Sequence, residues 1–235
     1  MKRAGESRSA RKRPGSPKRA SSAGTAPKIV VSFRERLIDG FVEAVTKQSY
    51  GETKIADIVS AAKVSKRTFY EHFVDKEDCF LAVYEREASA LLDSMLAATN
   101  APTHAEDKLD AALGAYFEKL AENPALTRTC LLEIQSAGKR GLALRRRILS
   151  EFATALTVFV ELVRSEQPEL GVLSHEMAFA VVGGINELVL LGVDGDAPLD
   201  ADLLRRTAFA LLRSVLRESG RAAASQLASS RKRTK

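Results

Sequence analysis

The chain has 235 residues, of which 45% are hydrophobic and 28% are charged, a composition typical of globular proteins rather than of disordered or fibrous chains. It contains no run of about 18 apolar residues, and no apolar segment follows its basic N-terminus, so we expect neither a membrane-spanning helix nor a secretory signal. The net charge of +6 is unevenly spread, since residues 1–28 carry +8 and residues 221–235 carry +5, which leaves −7 for residues 29–220.

The two basic ends differ in composition from the acidic body between them. Residues 1–28 are rich in Ser, Gly, Pro, Ala, Lys and Arg, and they hold too little apolar surface to offset the entropy cost of ordering. We predict a disordered basic arm over 1–28, order from near Ile29, and a disordered basic tail over 221–235. Such an arm can lie in a DNA minor groove or can serve only as a solvated tail.

Helical patterns begin directly after the arm. The first helix starts at the capping box Ser32–Glu35 and stops at Tyr50-Gly51. A second, short helix follows Thr53 as its N-cap. The third runs from Ser65 to Phe73, and the fourth begins after Asp75, whose carboxylate suits the positive end of the helix dipole.

Five further helices are predicted in the second half of the chain. Their apolar residues recur at helical spacing, and Gly138–Gly141 is expected to separate two of them. They start at Thr103, Asn123, Leu142, Ser174 and Ala201, and the last one ends at Ser219. No strand and no internal repeat is recognisable, so the predicted fold class is all-α with roughly nine helices.

The third helix concentrates short hydrogen-bond donors and cations. Within about two turns it carries Ser65, Lys66, Arg67, Thr68, Tyr70 and His72. Side chains of this kind on one short helix suit the major groove of DNA better than a catalytic pocket.

The segment Thr53–Phe80 resembles the N-terminal signature of the TetR family of bacterial transcriptional regulators, and the resemblance covers about residues 33–81. The chain has Lys63 at a turn position where the family usually has Gly, and Val59 where Ala is usual. The matching positions are Thr53, Asp57, Ile58, Ala62, Val64, Ser65, Thr68, Phe69, Tyr70, His72, Phe73, Lys76 and Glu77.

The resemblance implies a helix-turn-helix DNA-binding domain over 29–80 with Ser65–Phe73 as its recognition helix. Lys66, Arg67 and Thr68 would face base edges, where an arginine can bind guanine with two hydrogen bonds. Phosphate contacts would position the protein without reading sequence, and the residues expected to supply them are Thr53, Lys63, Tyr70, His72 and Lys76. Ser65, at the start of the recognition helix, is also expected to bind DNA.

The resemblance further implies that residues 81–220 form a helical domain that binds an effector and makes a homodimer through the last two helices. The segment Met177–Leu191 is apolar nearly all round, which predicts burial on more than one side. A two-fold dimer would read a nearly palindromic operator.

The effector site is predicted as an apolar cavity between helices. Its candidate lining residues are Met95, Tyr116, Phe117, Leu120, Phe152 and Phe159, although each also fits an ordinary core position. Glu133, Gln135, Asn186 and Glu187 are polar groups in apolar helices that would either orient a ligand or bond across a dimer interface, and for Glu187 we favour the interface. The apolar candidates favour a hydrophobic effector, with an acyl or aromatic group.

Catalysis and effector-independent DNA binding are the two alternative classes of function. The three histidines lie in separate segments, the two cysteines fit buried positions, and no metal-binding or nucleophile motif occurs, so we expect no enzyme, no metal and no cofactor. An effector-independent architectural DNA-binding protein would use the basic ends but would not need the large helical domain. The expected protein is therefore a cytoplasmic, nucleoid-associated bacterial regulator, and repression is the commoner mode in the family.

Overall fold

The computed structural model describes residues 32–194 and 198–233, with side chains up to residue 222. These residues form nine helices and no strand: α1 (Phe33–Lys47), α2 (Ile55–Ala62), α3 (Lys66–His72), α4 (Lys76–Ala98), α5 (Ala105–Glu122), α6 (Pro124–Ser136), α7 (Gly138–Glu166), α8 (His175–Val193) and α9 (Ala201–Arg233). The all-α prediction is confirmed for this part of the chain. The predicted arm over 1–28 and the start of order at Ile29 lie outside the described residues.

Helices α1, α2 and α3 pack into a small unit around fully buried aromatic rings. Ser32 caps α1 as predicted, since its hydroxyl accepts the Glu35 backbone N–H at 3.2 Å. Phe41 of α1 stacks against Phe80 of α4 with ring centroids 5.9 Å apart, and both rings are buried. The first turn of α4 is therefore part of the core beneath the short helices.

The turn between α2 and α3 has a left-handed backbone at Lys63, with φ 54° and ψ 47°. Among the described residues it is the one non-glycine position with positive φ. A side chain in this region costs roughly 1–2 kcal/mol, so Lys63 occupies a position that glycine would fill with less strain. Lys63 is also the turn position at which the TetR-like signature usually has Gly.

Helices α5 to α9 form the larger part of the protein, and two of their starts differ from the sequence prediction. The N-cap of α5 is His104 without a side-chain hydrogen bond, whereas Thr103 was expected; the Glu166 carboxylate accepts the Ala105 N–H at 3.1 Å instead. Helix α7 begins at Gly138, two residues after α6 ends. Gly138 has a φ of +56°, a conformation that glycine adopts without strain. The glycine-rich segment therefore starts α7 rather than preceding it.

Helix α9 continues to Arg233, well beyond the predicted end at Ser219. Residues 221–235 were expected to form a disordered tail, but the backbone is helical up to Arg233. The run Ala222–Ala224 has high helix propensity, and no proline interrupts it. Gly220 lies within this helix and packs against the 169–171 segment so closely that a Cβ there would stand 2.4 Å from the Glu169 carbonyl oxygen.

Helix α8 is long and apolar enough to cross a membrane by length and composition alone, which differs from the expectation that no segment would qualify. It carries Asn186 and Glu187 near its middle, and it packs against α7 and α9. Helix α6 is a further neighbour, but only 22% of the apolar segment is buried, so much of α8 is exposed in the single subunit.

Candidate functional site

Helix α3 lies at the surface with its polar side outward. Phe69 and Phe73 are buried and anchor the helix, whereas Tyr70 is 59% exposed and the Arg67 side chain is 90% exposed. Ser65 caps the helix by accepting the Thr68 N–H at 3.1 Å. Of the predicted DNA contacts, Thr68 is half-buried and the following are exposed: Lys63, Ser65, Lys66, Arg67, Tyr70 and His72.

Thr53 does not reach the surface, so the prediction that its side chain contacts phosphate is wrong for this structure. The residue is 1% exposed, and its hydroxyl donates to the Ser49 carbonyl oxygen at 2.9 Å. The N-cap of α2 is Lys54, whose backbone N–H donates to the Asp57 carboxylate at 2.8 Å. This hydrogen bond is the main cause of a lowered pKa at Asp57, and a hydrogen bond from the Gln48 side chain adds to the effect.

Lys76 points inward rather than towards a DNA backbone. Its Nζ donates to the carbonyl oxygens of Tyr50 at 2.7 Å and Thr53 at 2.9 Å, and it lies 4.0 Å from the centre of the Tyr50 ring. Burial lowers the pKa of Lys76. The lysine therefore joins the start of α4 to the turn before α2, which differs from its predicted role as a phosphate contact.

Arg36 of α1 is a supporting residue that the sequence analysis did not identify. Its Nη2 donates to the carbonyl oxygens of Ala62 at 2.6 Å and Lys63 at 2.8 Å. These are carbonyls at the end of α2, which lack helical partners. Arg36 thereby holds the turn that orients α3, and only the three-dimensional contact identifies it.

A cavity of about 250 Å³ lies among α4, α5, α6, α7 and α8 and reaches α1. It is lined mainly by apolar side chains, as ligand cavities generally are. Of the six predicted lining residues, Tyr116, Leu120 and Phe152 border it. Met95, Phe117 and Phe159 do not, and Phe117 and Phe159 instead pack in the core.

Polar and charged groups occupy particular places around this cavity. The Tyr116 hydroxyl donates to Asn186 Oδ1 at 2.9 Å, and burial raises the pKa of Tyr116. Lys119 and Glu122 form an ion pair at 2.5 Å, and Glu122 is 62% exposed. The cavity therefore opens near the end of α5, while Tyr116 lies on its enclosed side.

The cavity directly borders the unit formed by α1, α2 and α3. Val42 of α1 lines it together with Tyr84, Ala88 and Leu91 of α4. The same region has a polar link, since the Asn123 amide donates to the Thr46 hydroxyl of α1 at 3.0 Å. A molecule in the cavity would thus contact both helices that support α2 and α3.

Helix α8 presents one row of residues to solvent. Ala180, Gly184, Glu187 and Leu191 are all exposed, and their spacing places them on one face of the helix. Leu191 is 74% exposed, and no atom lies within 4 Å of the position a Cβ would take at Gly184. The neighbouring α9 exposes further apolar side chains, Leu203 and Leu211.

The sequence of this chain is similar to those of known transcriptional regulators. The family model for bacterial regulatory proteins of the tetR family matches residues 37–83. The fatty acid metabolism regulator protein of Bacillus subtilis is 25% identical over 184 residues, covering 75% of this chain and 92% of that protein. The transcriptional activator FasR of Mycolicibacterium smegmatis is 26% identical over 176 residues, covering 72% and 76%.

Solved structures share the fold. The fatty acid degradation regulator FadR from Bacillus halodurans superposes with a TM-score of 0.68 at 22% identity, covering 81% of this chain and 99% of that one. FadR from Bacillus subtilis in complex with stearoyl-CoA gives a TM-score of 0.67 at 21% identity, covering 77% and 98%. At these identities the likeness concerns the arrangement of helices.

Proposed function

We infer that this protein, which belongs to the TetR family of bacterial regulatory proteins, represses transcription as a DNA-bound homodimer and is released by a small hydrophobic effector. It is a helix-turn-helix transcriptional regulator and not an enzyme. Within this proposal, residues 29–80 bind DNA and 81–220 bind the effector and the partner subunit. Its place of action is the bacterial cytoplasm, at the nucleoid.

The observation that carries the DNA-binding role is the orientation of α3. Two buried phenylalanines fix the helix while Lys66, Arg67 and Tyr70 project into solvent. Arg67 makes one exposed ion pair, with Glu71, and such pairs contribute little to stability, so the guanidinium is free to exchange Glu71 for a guanine. The basic residues of 1–28 add attraction to phosphate that does not depend on sequence.

The exposed row on α8 and the adjoining face of α9 support the proposal that the protein is a homodimer. An apolar helix face with small residues at Ala180 and Gly184 allows another helix to approach closely. A two-fold axis through this face would present two copies of α3 to successive turns of the DNA.

The cavity supports the proposal that the protein binds an effector. Its apolar lining favours an acyl chain or another hydrophobic group, and the structure of FadR from Bacillus subtilis, which shares this fold, is a complex with stearoyl-CoA. Because Val42 of α1 and four residues of α4 border the cavity, a ligand would change the position of the two helices that carry α3. It releases DNA only if it binds the released conformation more tightly than the DNA-bound one.

The experiment that tests this function is a footprint on DNA upstream of the protein's own gene, at two salt concentrations. We expect a protected near-palindrome, and Arg67→Ala should weaken binding to it by roughly 1–3 kcal/mol. Arg146→Ala removes an exposed arginine of α7 and serves as the control, with unchanged affinity. Salt-sensitive binding without a protected site would contradict specific regulation and favour an architectural DNA-binding protein.

A further inference from the structure

The cavity contains one polar pair on its enclosed side. Tyr116 of α5 and Asn186 of α8 both line it, and the tyrosine hydroxyl donates to Asn186 Oδ1 at 2.9 Å. Tyr116 is 6% exposed, and burial raises its pKa, so the phenol stays protonated and acts as the donor. Asn186 Oδ1 is thereby occupied by a partner within the protein.

The amide nitrogen of Asn186 is the part of this pair that remains available. A carboxamide has two N–H donors in addition to its acceptor oxygen, and Nδ2 makes no hydrogen bond with the residues that the structure describes. The Thr127 hydroxyl also borders the cavity, but it donates to the Leu120 carbonyl oxygen at 2.8 Å. Spare hydrogen-bonding capacity around the cavity therefore lies at the Asn186 amide nitrogen and at the hydroxyl of Tyr84, which also lines the cavity and makes no hydrogen bond with the described residues. Of the two, Asn186 is the one already joined to Tyr116 on the enclosed side.

The position of this amide differs from that of the charged residues at the opening. Tyr116 precedes Glu122 by six residues on α5, which corresponds to roughly 9 Å along the helix axis. Glu122 is exposed and paired with Lys119. A molecule that enters near Glu122 would thus bring its leading end, after an apolar stretch, to Asn186.

We propose, on the basis of the function proposed above, that the cavity selects an apolar effector that carries a hydroxyl or carbonyl oxygen at the end lying against Asn186. A plain hydrocarbon end would leave the amide nitrogen without a partner, and a site built for a hydrogen bond discriminates against an analogue that lacks it. A hydroxyl serves either orientation of the amide, because it both donates and accepts.

The test uses two probes of the same shape, 2-naphthol and 2-methylnaphthalene, which differ by a hydroxyl in place of a methyl group. Both two-ring molecules are small compared with acyl chains and suit a cavity of about 250 Å³. Their affinities are measured by calorimetry or fluorescence titration with the full-length protein, its Asn186→Leu variant and its Gln135→Leu variant. Gln135 is a matched control, because its exposed amide lies outside the cavity and donates to the Leu131 carbonyl oxygen.

We expect Asn186→Leu to weaken 2-naphthol binding roughly tenfold, the equivalent of one hydrogen bond, while 2-methylnaphthalene binds equally well or better. Gln135→Leu should change neither affinity. Asn186→Ala provides a second variant if leucine prevents folding, and the ratio of the two affinities should shift in the same direction.

Three results would overturn the inference. An equal loss for both probes would mean that Asn186 only supports the fold, and unchanged affinities would mean that it does not meet the ligand; in both cases the proposed effector function would stand. If the wild-type protein bound operator DNA but neither probe, the inference would be overturned, while the proposed DNA-binding function and an acyl effector would stand.

Discussion

Gly40 of α1 lies directly against Ala62 at the end of α2. A Cβ at Gly40 would stand 2.8 Å from the Ala62 backbone nitrogen, 2.9 Å from its Cβ and 2.6 Å from the Ile58 carbonyl oxygen. Two of these neighbours are backbone atoms, which cannot move aside as a flexible side chain can. The absence of a side chain at this position sets the distance between the two helices.

Gly40→Ala should therefore destabilise the protein, although alanine is the better helix former. Forcing a methyl group into a packed contact costs typically 1–3 kcal/mol, which exceeds the gain of about 1 kcal/mol in helix propensity. Urea unfolding measures the difference. Gly51→Ala is the control, since no atom lies within 4 Å of the corresponding Cβ position; equal midpoints for the two variants would contradict the close contact.

Lys63→Gly should have the opposite effect on stability. Glycine adopts the left-handed backbone of this position without strain. We expect the free energy of unfolding to rise by about 0.5–1 kcal/mol, after the greater entropy of the unfolded glycine chain is counted. Operator affinity should fall, with the salt slope reduced by about 1 if the lysine meets a phosphate.

Lys63→Ala separates these two effects. It keeps the backbone strain but removes the cation, so its unfolding midpoint should stay near that of the wild-type protein while its operator affinity falls as for glycine. A stability gain in the alanine variant would show that backbone strain at this turn is not what glycine relieves.

Lys76→Met tests whether Lys76 is a structural link. The methionine keeps an apolar stem of similar length but loses the two hydrogen bonds to Tyr50 and Thr53. Hydrogen bonds from charged groups contribute roughly 1.5–3 kcal/mol, so the unfolding midpoint in urea should fall clearly. Lys66→Met, on the exposed side of α3, should weaken operator binding without changing that midpoint. If Lys76→Met instead weakened operator binding and left the unfolding midpoint unchanged, Lys76 would be a phosphate contact, as the sequence predicts.

Gly184→Arg tests the dimer face. The arginine side chain would project from the exposed row of α8, where the isolated subunit has room for it, and would replace a poor helix former. We expect a monomer with intact helicity, detected by sedimentation and circular dichroism, and a loss of cooperative operator binding. Gly51→Arg adds the same side chain at another open glycine and should remain dimeric; a dimeric Gly184→Arg variant would place the interface elsewhere.

Local signals in the sequence predicted most of the fold correctly. Ser32, Ser65 and Asp75, at the predicted starts of three helices, each accept a backbone N–H in the structure, whereas the caps expected at Thr53 and Thr103 lie one residue later. Capping needs only residues three positions apart, so it can be recognised without knowledge of the tertiary fold. The orientation of α3 was predictable for the same reason, because Phe69 and Phe73 are one helical turn apart.

Features that depend on contacts between distant segments were not predictable. Tyr116 and Phe117 are adjacent aromatic residues in one apolar pattern, yet one borders the cavity and the other packs in the core. Lys76 and Thr53 fit a DNA-contact motif, but their hydrogen-bond partners are backbone carbonyls that only the folded turn brings near. Periodicity indicates which side of a helix is buried, but it does not indicate whether the neighbour is a side chain or a void.

Val42 gives the cavity a wall that belongs to α1. If effector and operator favour different positions of this helix, thermodynamic linkage applies. Bound DNA must then lower the affinity for the effector by the same factor by which the bound effector lowers the affinity for DNA. Tighter operators would then require higher effector concentrations for release. A set of promoters with graded operators would respond in order of their affinity, and one protein would convert a single rising signal into a timed sequence of gene expression.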